Sequence, residues 1–276
     1  MAALPPAEDR YHVPALARGL QLLSQFSREQ PELSGAELAR QLELPRASVF
    51  RMLCTLEQAG FLERCVDGVH YKLGLGVLRL GFELLASMEL TELGRPVIEE
   101  LRERSGYSAH LVVRDGREVV FIAKVAGRSS LFQSVQVGAR LPAHATVLGR
   151  ILLSDLSAAE LAALYRHASL AAYTSKTPTT LSALTELIAQ DRQRGHGISM
   201  GGYESGISTV AAPVFGGPGK VAAAISVTVP AQRIDEPELA ELVAMVCDAA
   251  RQLSDRLQHL PGRGPWPVKT SQRKAA

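Results

Sequence analysis

A chain of 276 residues, 46% hydrophobic and 21% charged, has ordinary globular composition and enough length for two domains with sizeable cores. The formal net charge of +2 does not mark a general nucleic-acid binder, and residues 1–90 carry 9 basic against 11 acidic side chains, so any positive patch must be local. Cys54, Cys65 and Cys247 lack ligand spacing, which excludes a zinc finger or disulfide framework. No window approaches 18 uninterrupted apolar residues and the start lacks a basic segment before an apolar run, so a soluble cytoplasmic protein is expected.

Residues 1–12 show no periodicity and read as a flexible arm. A first helix is expected over 15–26, with Leu16, Leu20 and Leu23 on one face and Leu22 and Phe26 widening it. Ser34 and Glu37 form a capping box that starts a second helix. Residues 42–44 make a short turn, because Pro45 disfavours helical geometry before it yet suits the first helical position itself. The third helix, 45–58 (PRASVFRMLCTLEQ), places Val49, Leu53 and Leu56 on one stripe and Arg46, Ser48 and Arg51 off it. Gly60 ends it, and strands at 61–64 and 69–73 around Asp67-Gly68 make a hairpin, the wing of a winged helix-turn-helix over 13–74. Residues 45–79 hold five basic against three acidic side chains. Arg46 and Arg51 suit guanine edges or phosphates, Ser48 a phosphate or base edge, Ala47 or Phe50 a thymine methyl, and Arg64 and Lys72 phosphates. Phe50 reads equally well as a core residue.

Residues 75–90 form a linker helix apolar over most of its circumference, with Leu75, Leu78, Phe82 and Leu85 at helical spacing. Such a surface is covered either in a homodimer or by the chain's own second domain. Dimerisation would pair two recognition helices on a pseudo-palindromic double-stranded DNA operator.

From residue 91 to 258 the pattern is α/β. A helix over 91–104, kinked or started by Pro96, leads to strands at 109–113 and 118–125 and a further strand near 131–137. In 141–149 Thr146 is placed as an N-cap, so the amides of Val147, Leu148 and Gly149 open a helix. That start either binds a small carboxylate or is satisfied by Thr146 itself. His144 reads as a hydrogen-bonded structural histidine, and no metal site is expected. Helices at 157–165 and 180–194 and strands at 198–200, 209–215 and 221–229 follow. Alternation puts Ser226 and Thr228 on one side, facing the same cavity as Thr146. A last helix spans 236–257, and the basic tail 259–276 reads as disordered. The motifs of common hydrolases, metalloproteases and nucleotide-binding loops are missing, so catalysis and a cofactor are not expected.

The runs LSGAELARQLELPRASVFRMLCTLEQAGFLER, HYKLGLGVLRLG, LPAHATVLGRILLS, AAPVF and ISVTVP together resemble the IclR family of bacterial transcription regulators, across about 13–257. The resemblance implies an α/β (α+β) protein: an N-terminal winged helix-turn-helix, a linker helix, and a GAF-like effector-binding domain with an antiparallel sheet. Dimers or tetramers are usual, and the loop before Val147 borders the effector pocket. Ser199, Gly201 and Gly202 stand where the family commonly has acidic residues, and Thr209 where cysteine is frequent. Glu204 alone keeps a carboxylate there. Ile207, on the same segment, joins Ser199 and Thr209 among the candidate effector-binding residues. A less negative pocket suits an anionic effector. The expectation is a ligand-responsive regulator, a repressor by class, controlled by a small organic acid. The rival is a metabolite-binding or catalytic module whose winged domain makes protein contacts only.

Overall fold

The computed structural model describes residues 13–27, 29–87, 89–127 and 135–258, and omits the side chains at 82 and 84–87. The expected arm and tail lie outside the described residues. The chain divides into two compact units, 1–87 and 88–276.

In the first unit, α1 (Pro14–Leu23), α2 (Gly35–Gln41) and α3 (Arg46–Gln58) surround a core of Leu22, Phe26, Leu33, Leu38, Val49, Leu53, Leu62 and Tyr71. The capping box forms: the Glu37 amide donates to Ser34 Oγ at 3.3 Å, and the Ser34 amide to Glu37 Oε2 at 2.8 Å. The turn between α2 and α3 passes through Glu43 at φ 53°, the left-handed region that side chains with a Cβ disfavour. A small sheet of β1 (Leu33–Ser34), β3 (His70–Leu73) and β2 (Leu62–Arg64) follows, with β3 central and both pairings antiparallel. The sequence reading missed β1, because two residues that also cap a helix carry no strand pattern. It also misjudged the face of α1: Leu22 and Phe26 are buried, whereas Leu16 and Leu20 are 62% and 57% exposed. Helix α4 (Leu75–Ser87) begins tightly against the end of α3, since a Cβ on Gly76 would stand 2.6 Å from the Gly60 carbonyl oxygen.

The second unit is one six-stranded antiparallel sheet. Helix α5 (Glu89–Ser105) precedes β4 (Ser108–Asp115), β5 (Glu118–Val125) and β6 (Arg140–Pro142). A 3-10 turn (Ala143–Ala145) leads into α6 (Val147–Leu153), then α7 (Ala158–Tyr165) and α8 (Leu181–Arg194). After β7 (Gly197–Met200), β8 (Ser208–Gly217) and β9 (Lys220–Val229), α9 (Glu236–Gln258) closes the unit. The strand order is β6-β5-β4-β9-β8-β7. Alternation divides the sheet. Leu111, which would meet a Cβ on Gly94 of α5, points to the side packed by α5 and α9, while Val112, Ala211 and Ala224 join a second core with α6, α7 and α8.

Pro96 lies inside α5, which starts seven residues before it, so the proline neither opens the helix nor ends it. Of the strand expected near 131–137, residues 131–134 lie outside the described residues. Residues 137–138 are a turn through Gly138 at φ 87°, and the edge strand falls instead at β6.

Candidate functional site

On α3 the apolar stripe turns inward as 3.6-residue periodicity requires. Val49 and Leu53 are buried, Leu56 is half-buried, and Arg46, Ala47, Phe50 and Arg51 are exposed with Ser48 at the margin. Phe50, 57% exposed, is therefore not a core residue. The Arg46 and Arg51 side chains make no hydrogen bond or ion pair with other described residues, the Arg51 carbonyl alone accepting from Thr55 Oγ1 at 2.9 Å. The two wing cations differ from them. The Arg64 guanidinium donates to both Glu57 carboxylate oxygens, at 3.2 and 3.0 Å, and to the Gly68 carbonyl at 3.2 Å, and lies 4.8 Å over the Tyr71 ring. Lys72 pairs with Glu63 at 3.3 Å. Both wing cations are thus engaged within the unit, Arg64 joining the wing to the end of α3.

Asp67 fixes the wing turn. Its carboxylate accepts from the backbone amides of Val69 and His70 and lies 2.5 Å from the His70 ring. The His70 amide and ring, and then the Val69 amide, hold the Asp67 carboxyl down at about 2, and the Asp67 hydrogen bond raises the His70 imidazole above its ordinary value.

In the second unit a cavity of about 130 Å³ opens between the sheet and α6. That is well above the ~10–15 Å³ one water requires. Its walls are Thr146, Val147 and Leu148 at the start of α6, Ser108 and His110 on β4, Ser199, Thr209 and Thr228 on β7, β8 and β9, and Tyr203, Glu204 and Ile207 on the loop after β7. Phe121, Val135, Leu141 and Pro230 supply apolar wall. Of the eight effector residues proposed from sequence, seven meet here although some eighty positions separate the first from the last. Ser226 does not line the cavity: it shares the inward side with Thr228 but lies one residue pair deeper and is fully buried.

Thr146 caps α6, its Oγ1 accepting from the Gly149 amide at 3.0 Å. The cap reading of the sequence therefore accounts for that amide, whereas the amides of Val147 and Leu148, the first two of the helix, have no intrahelical acceptor. Gly149 is required by packing, because a Cβ there would collide with the Ala143 carbonyl. One turn on, Arg150 is buried and tied down. Its Nε donates to Asp191 Oδ2 of α8 at 2.6 Å and its Nη2 to the Ile198 carbonyl of β7 at 3.1 Å. The loop after β7 is held as well: Thr177 Oγ1 donates to the Gly202 carbonyl at 2.7 Å, and Tyr203 stacks 4.8 Å from Tyr173.

Electrostatically the cavity is mild. Among the described residues lining it there is no Lys or Arg, and Glu204 is the carboxylate. Sequence reasoning missed His110, Tyr203 and Ser108. His110 is 3% exposed, meets Phe121 edge-on at 5.4 Å, and is pushed down to about 4 by burial and by the Lys124 charge, so it is neutral at physiological pH. The alternation Ser108, His110 on one strand signalled it, but only the pairing of His110 with Ser226 shows which side faces the cavity. His144 lies beside the cavity wall with its Nε2 3.0 Å from the Ala171 carbonyl, between Tyr165 and Tyr173. No group of His, Cys, Asp and Glu among the described residues is arranged to hold a metal ion.

A winged helix-turn-helix joined to an α/β unit with a small-molecule-sized cavity between its sheet and a helix fits a ligand-responsive DNA-binding regulator. Residues 15–64 match the IclR helix-turn-helix domain, and residues 82–255 match the family described as bacterial transcriptional regulator IclR C-terminal. The chain belongs to the IclR family of transcriptional regulators. It is 31% identical over 248 residues to the HTH-type transcriptional regulator XynR of Escherichia coli, covering 89% of this chain and 97% of that one. It is also 31% identical over 244 residues to the transcriptional repressor IclR of the same organism, covering 88% and 89%. Among solved structures, an IclR homolog from Microbacterium hydrocarbonoxydans complexed with 4-hydroxybenzoate is similar with TM-score 0.76 and 26% identity, over 88% of this chain and 99% of that one. An IclR regulator from Alicyclobacillus acidocaldarius shares the fold with TM-score 0.79, over 90% and 100%. The expectation of a regulator rather than an enzyme rests on these relatives, which are regulators by name. The helix-turn-helix unit binds DNA and the second unit binds a small-molecule effector. No helix among the described residues is long and apolar enough to cross a membrane.

Proposed function

We propose that the protein is a homodimeric repressor of a pseudo-palindromic operator, released or retained according to whether a small organic acid occupies the cavity. The observation that carries the effector class is the wall at the start of α6. Two helix-opening amides, those of Val147 and Leu148, belong to cavity-lining residues, and the hydroxyls of Ser199, Thr209 and Thr228 stand around the same space. A carboxylate held by such dipoles needs no cation, and the 4-hydroxybenzoate in the Microbacterium relative is an acid of suitable size. On the DNA side Arg46, Ala47, Ser48, Phe50 and Arg51 make the base and phosphate contacts, while Arg64 and Lys72, engaged with Glu57 and Glu63, serve the wing's shape first. Self-association is supported by the exposed Leu16 and Leu20 of α1 and Leu75, Leu78 and Leu80 of α4.

The test is a mobility shift on DNA from upstream of the protein's own gene, at low salt, with and without carboxylic acids. Retarded DNA whose retardation changes with one acid supports the reading. DNA that stays free with every fragment would sink it.

A further inference from the structure

The wing and the start of the helix-turn-helix meet at one side chain. His70 opens β3, where the register sets it opposite Ser34 of β1, the residue that also caps α2. Its imidazole stands between two carboxylates from different elements: Nδ1 is 2.5 Å from Asp67 Oδ2 on the wing turn, and Nε2 is 3.9 Å from Glu37 Oε2 on α2. That Glu37 oxygen is the one that accepts from the Ser34 amide at 2.8 Å and from the Ser34 hydroxyl at 2.7 Å, so the capping box faces the ring. The Asp67 carboxylate likewise closes the wing turn through the amides of Val69 and His70. One ring thus lies between the side chain that fixes the wing turn and the side chain that opens α2.

The surrounding charge favours a protonated ring. Glu32, ahead of β1, adds a third negative charge felt by His70, and together with the Asp67 hydrogen bond these carboxylates raise the imidazole above its ordinary value. Arg40, further along α2, acts on Glu37, and Lys72 on β3 is paired with Glu63. Cys65, whose amide donates to the His70 carbonyl at 2.8 Å, has its thiol pushed up by burial and then by Glu32 and Asp67, so it stays neutral. The two states of the ring differ in what they offer. As a cation it carries a donor on both nitrogens. On losing a proton it keeps one N–H, which the shorter contact at Asp67 retains, and Nε2 then presents a lone pair on the Glu37 side. The link from wing to α2 changes from attraction to repulsion, and three carboxylates lose their shared cation.

We infer that His70 is a proton-controlled clasp between the wing and α2, and that DNA binding by this unit weakens as the ring loses its proton. The clasped elements hold both ends of the recognition helix: the wing reaches the last turn of α3 through Arg64 and Glu57, and α2 runs into its first turn through Glu43. Opening the clasp loosens the frame that presents Arg46 and Arg51 and unshields negative charge on a unit that must approach a polyanion. The protonated ring is the clasped state, so the contribution is complete below 6.5 and is lost as pH rises through the raised value.

The test uses the full chain and fluorescence anisotropy on two labelled duplexes, one from upstream of its own gene and one of unrelated sequence, at low and constant ionic strength from about pH 6 to about pH 8.5. Wild type is expected to lose about threefold in affinity for at least one duplex over that range, the scale that partly exposed ion pairs set. His70→Gln, which keeps a donor but takes no charge, should bind at the low end as wild type binds at the high end and show a flat profile. Glu37→Gln keeps an acceptor for the Ser34 cap while removing the far carboxylate, and should flatten the profile independently. A readout without DNA accompanies these: exchange of the Glu37 amide, corrected for intrinsic rate, should quicken about threefold as pH rises in wild type and stay level in His70→Gln. A merely structural histidine would lower affinity in its variant at every pH without changing the slope. The inference is overturned if the wild-type profile is flat on both duplexes, if His70→Gln keeps the wild-type slope, or if Glu37 exchange follows pH equally in both proteins. Failure of the wild type to bind either duplex would overturn it as well.

Discussion

The recognition helix and the cavity solve opposite problems with the same kind of residue. On α3 the polar groups stand outside a small core, and the Arg46 and Arg51 side chains make no hydrogen bond or ion pair with the described residues of their own unit. In the cavity they are turned inward and several are held by backbone amides, Thr146 by Gly149, Ser199 by Gly202 and Ser108 by Gly127, while behind the wall Arg150 is tied to Asp191 and Ile198. A surface that meets a polyanion draws on charge available to the partner. A cavity that meets a small molecule needs walls held in place, so part of its polar lining is fastened to the backbone while other hydroxyls, such as those of Thr209 and Thr228, line the space.

The two regions should therefore respond to different substitutions. The largest effect is expected from Asp191→Ala, which strands the buried Arg150 guanidinium; losing one partner of such a pair costs about 3–5 kcal/mol. Calorimetric melting should show the second unit losing stability and ligand affinity falling with it. A melting temperature within a degree of wild type would mean the pair holds nothing in place. Next, Arg51→Ala should weaken operator binding by about 1–3 kcal/mol, roughly 5- to 150-fold at fixed salt. The melting profile should stay as it was, and fluorescence anisotropy on labelled operator would measure the loss. Arg64→Ala, by contrast, should act mainly on the wing, since its guanidinium is already taken by Glu57 and Gly68.

A smaller change, in the opposite direction, is expected at the turn of the helix-turn-helix. Glu43→Gly relieves a left-handed residue and should stabilise the first unit by about 0.5–1 kcal/mol, visible as a raised urea midpoint with unchanged effector binding. The least effect belongs to pH. Asp67, lowered to about 2, contributes stability present above its ordinary value of 3.8 and lost as pH falls towards 2. His70, raised from 6.5, contributes fully below 6.5 and loses that contribution as pH rises through its raised value. Amide exchange corrected for intrinsic rate should thus find the wing best protected between about pH 4 and 6.5, whereas the cavity strands should lose protection as pH falls from 6.5 towards 4, because His110, pushed down to about 4, is held neutral in the fold and takes up a proton on unfolding. Equal protection of the wing at pH 5 and pH 9 would contradict the pairing.

Much of the first unit was legible because its signals are local. Ser34 and Glu37 are three residues apart, the Val49 and Leu53 stripe follows one helical period, and Asp67-Gly68 announces its own hairpin. Where a local rule failed, tertiary context had intervened: Leu16 and Leu20 fit a helical face as well as Leu22 does, but the core lies on the Leu22 side. The cavity was legible only in part. Thr146 is a local cap, and the resemblance pointed to Ser199, Ile207 and Thr209. His110 and Tyr203 were invisible because their meaning depends on which strand lies beside which, and β4 pairs with β9 across more than a hundred residues. Ser226 illustrates the same limit: alternation settles the side of a strand, whereas depth along that side depends on register.

The Arg150 anchor has a consequence for how such a receptor changes its preferences over time. Helix α6 begins at one wall of the cavity, and through Arg150 it is fastened to the Ile198 carbonyl, next to Ser199 on another wall. Gly149 leaves it no slack against Ala143. Those two walls therefore form a fixed gauge, and substitutions there are expected to cost folding before they retune selectivity. New specificities should arise first on the strand positions His110, Thr209 and Thr228 and on the loop bearing Tyr203 and Ile207, where a side chain can change without unfastening the frame.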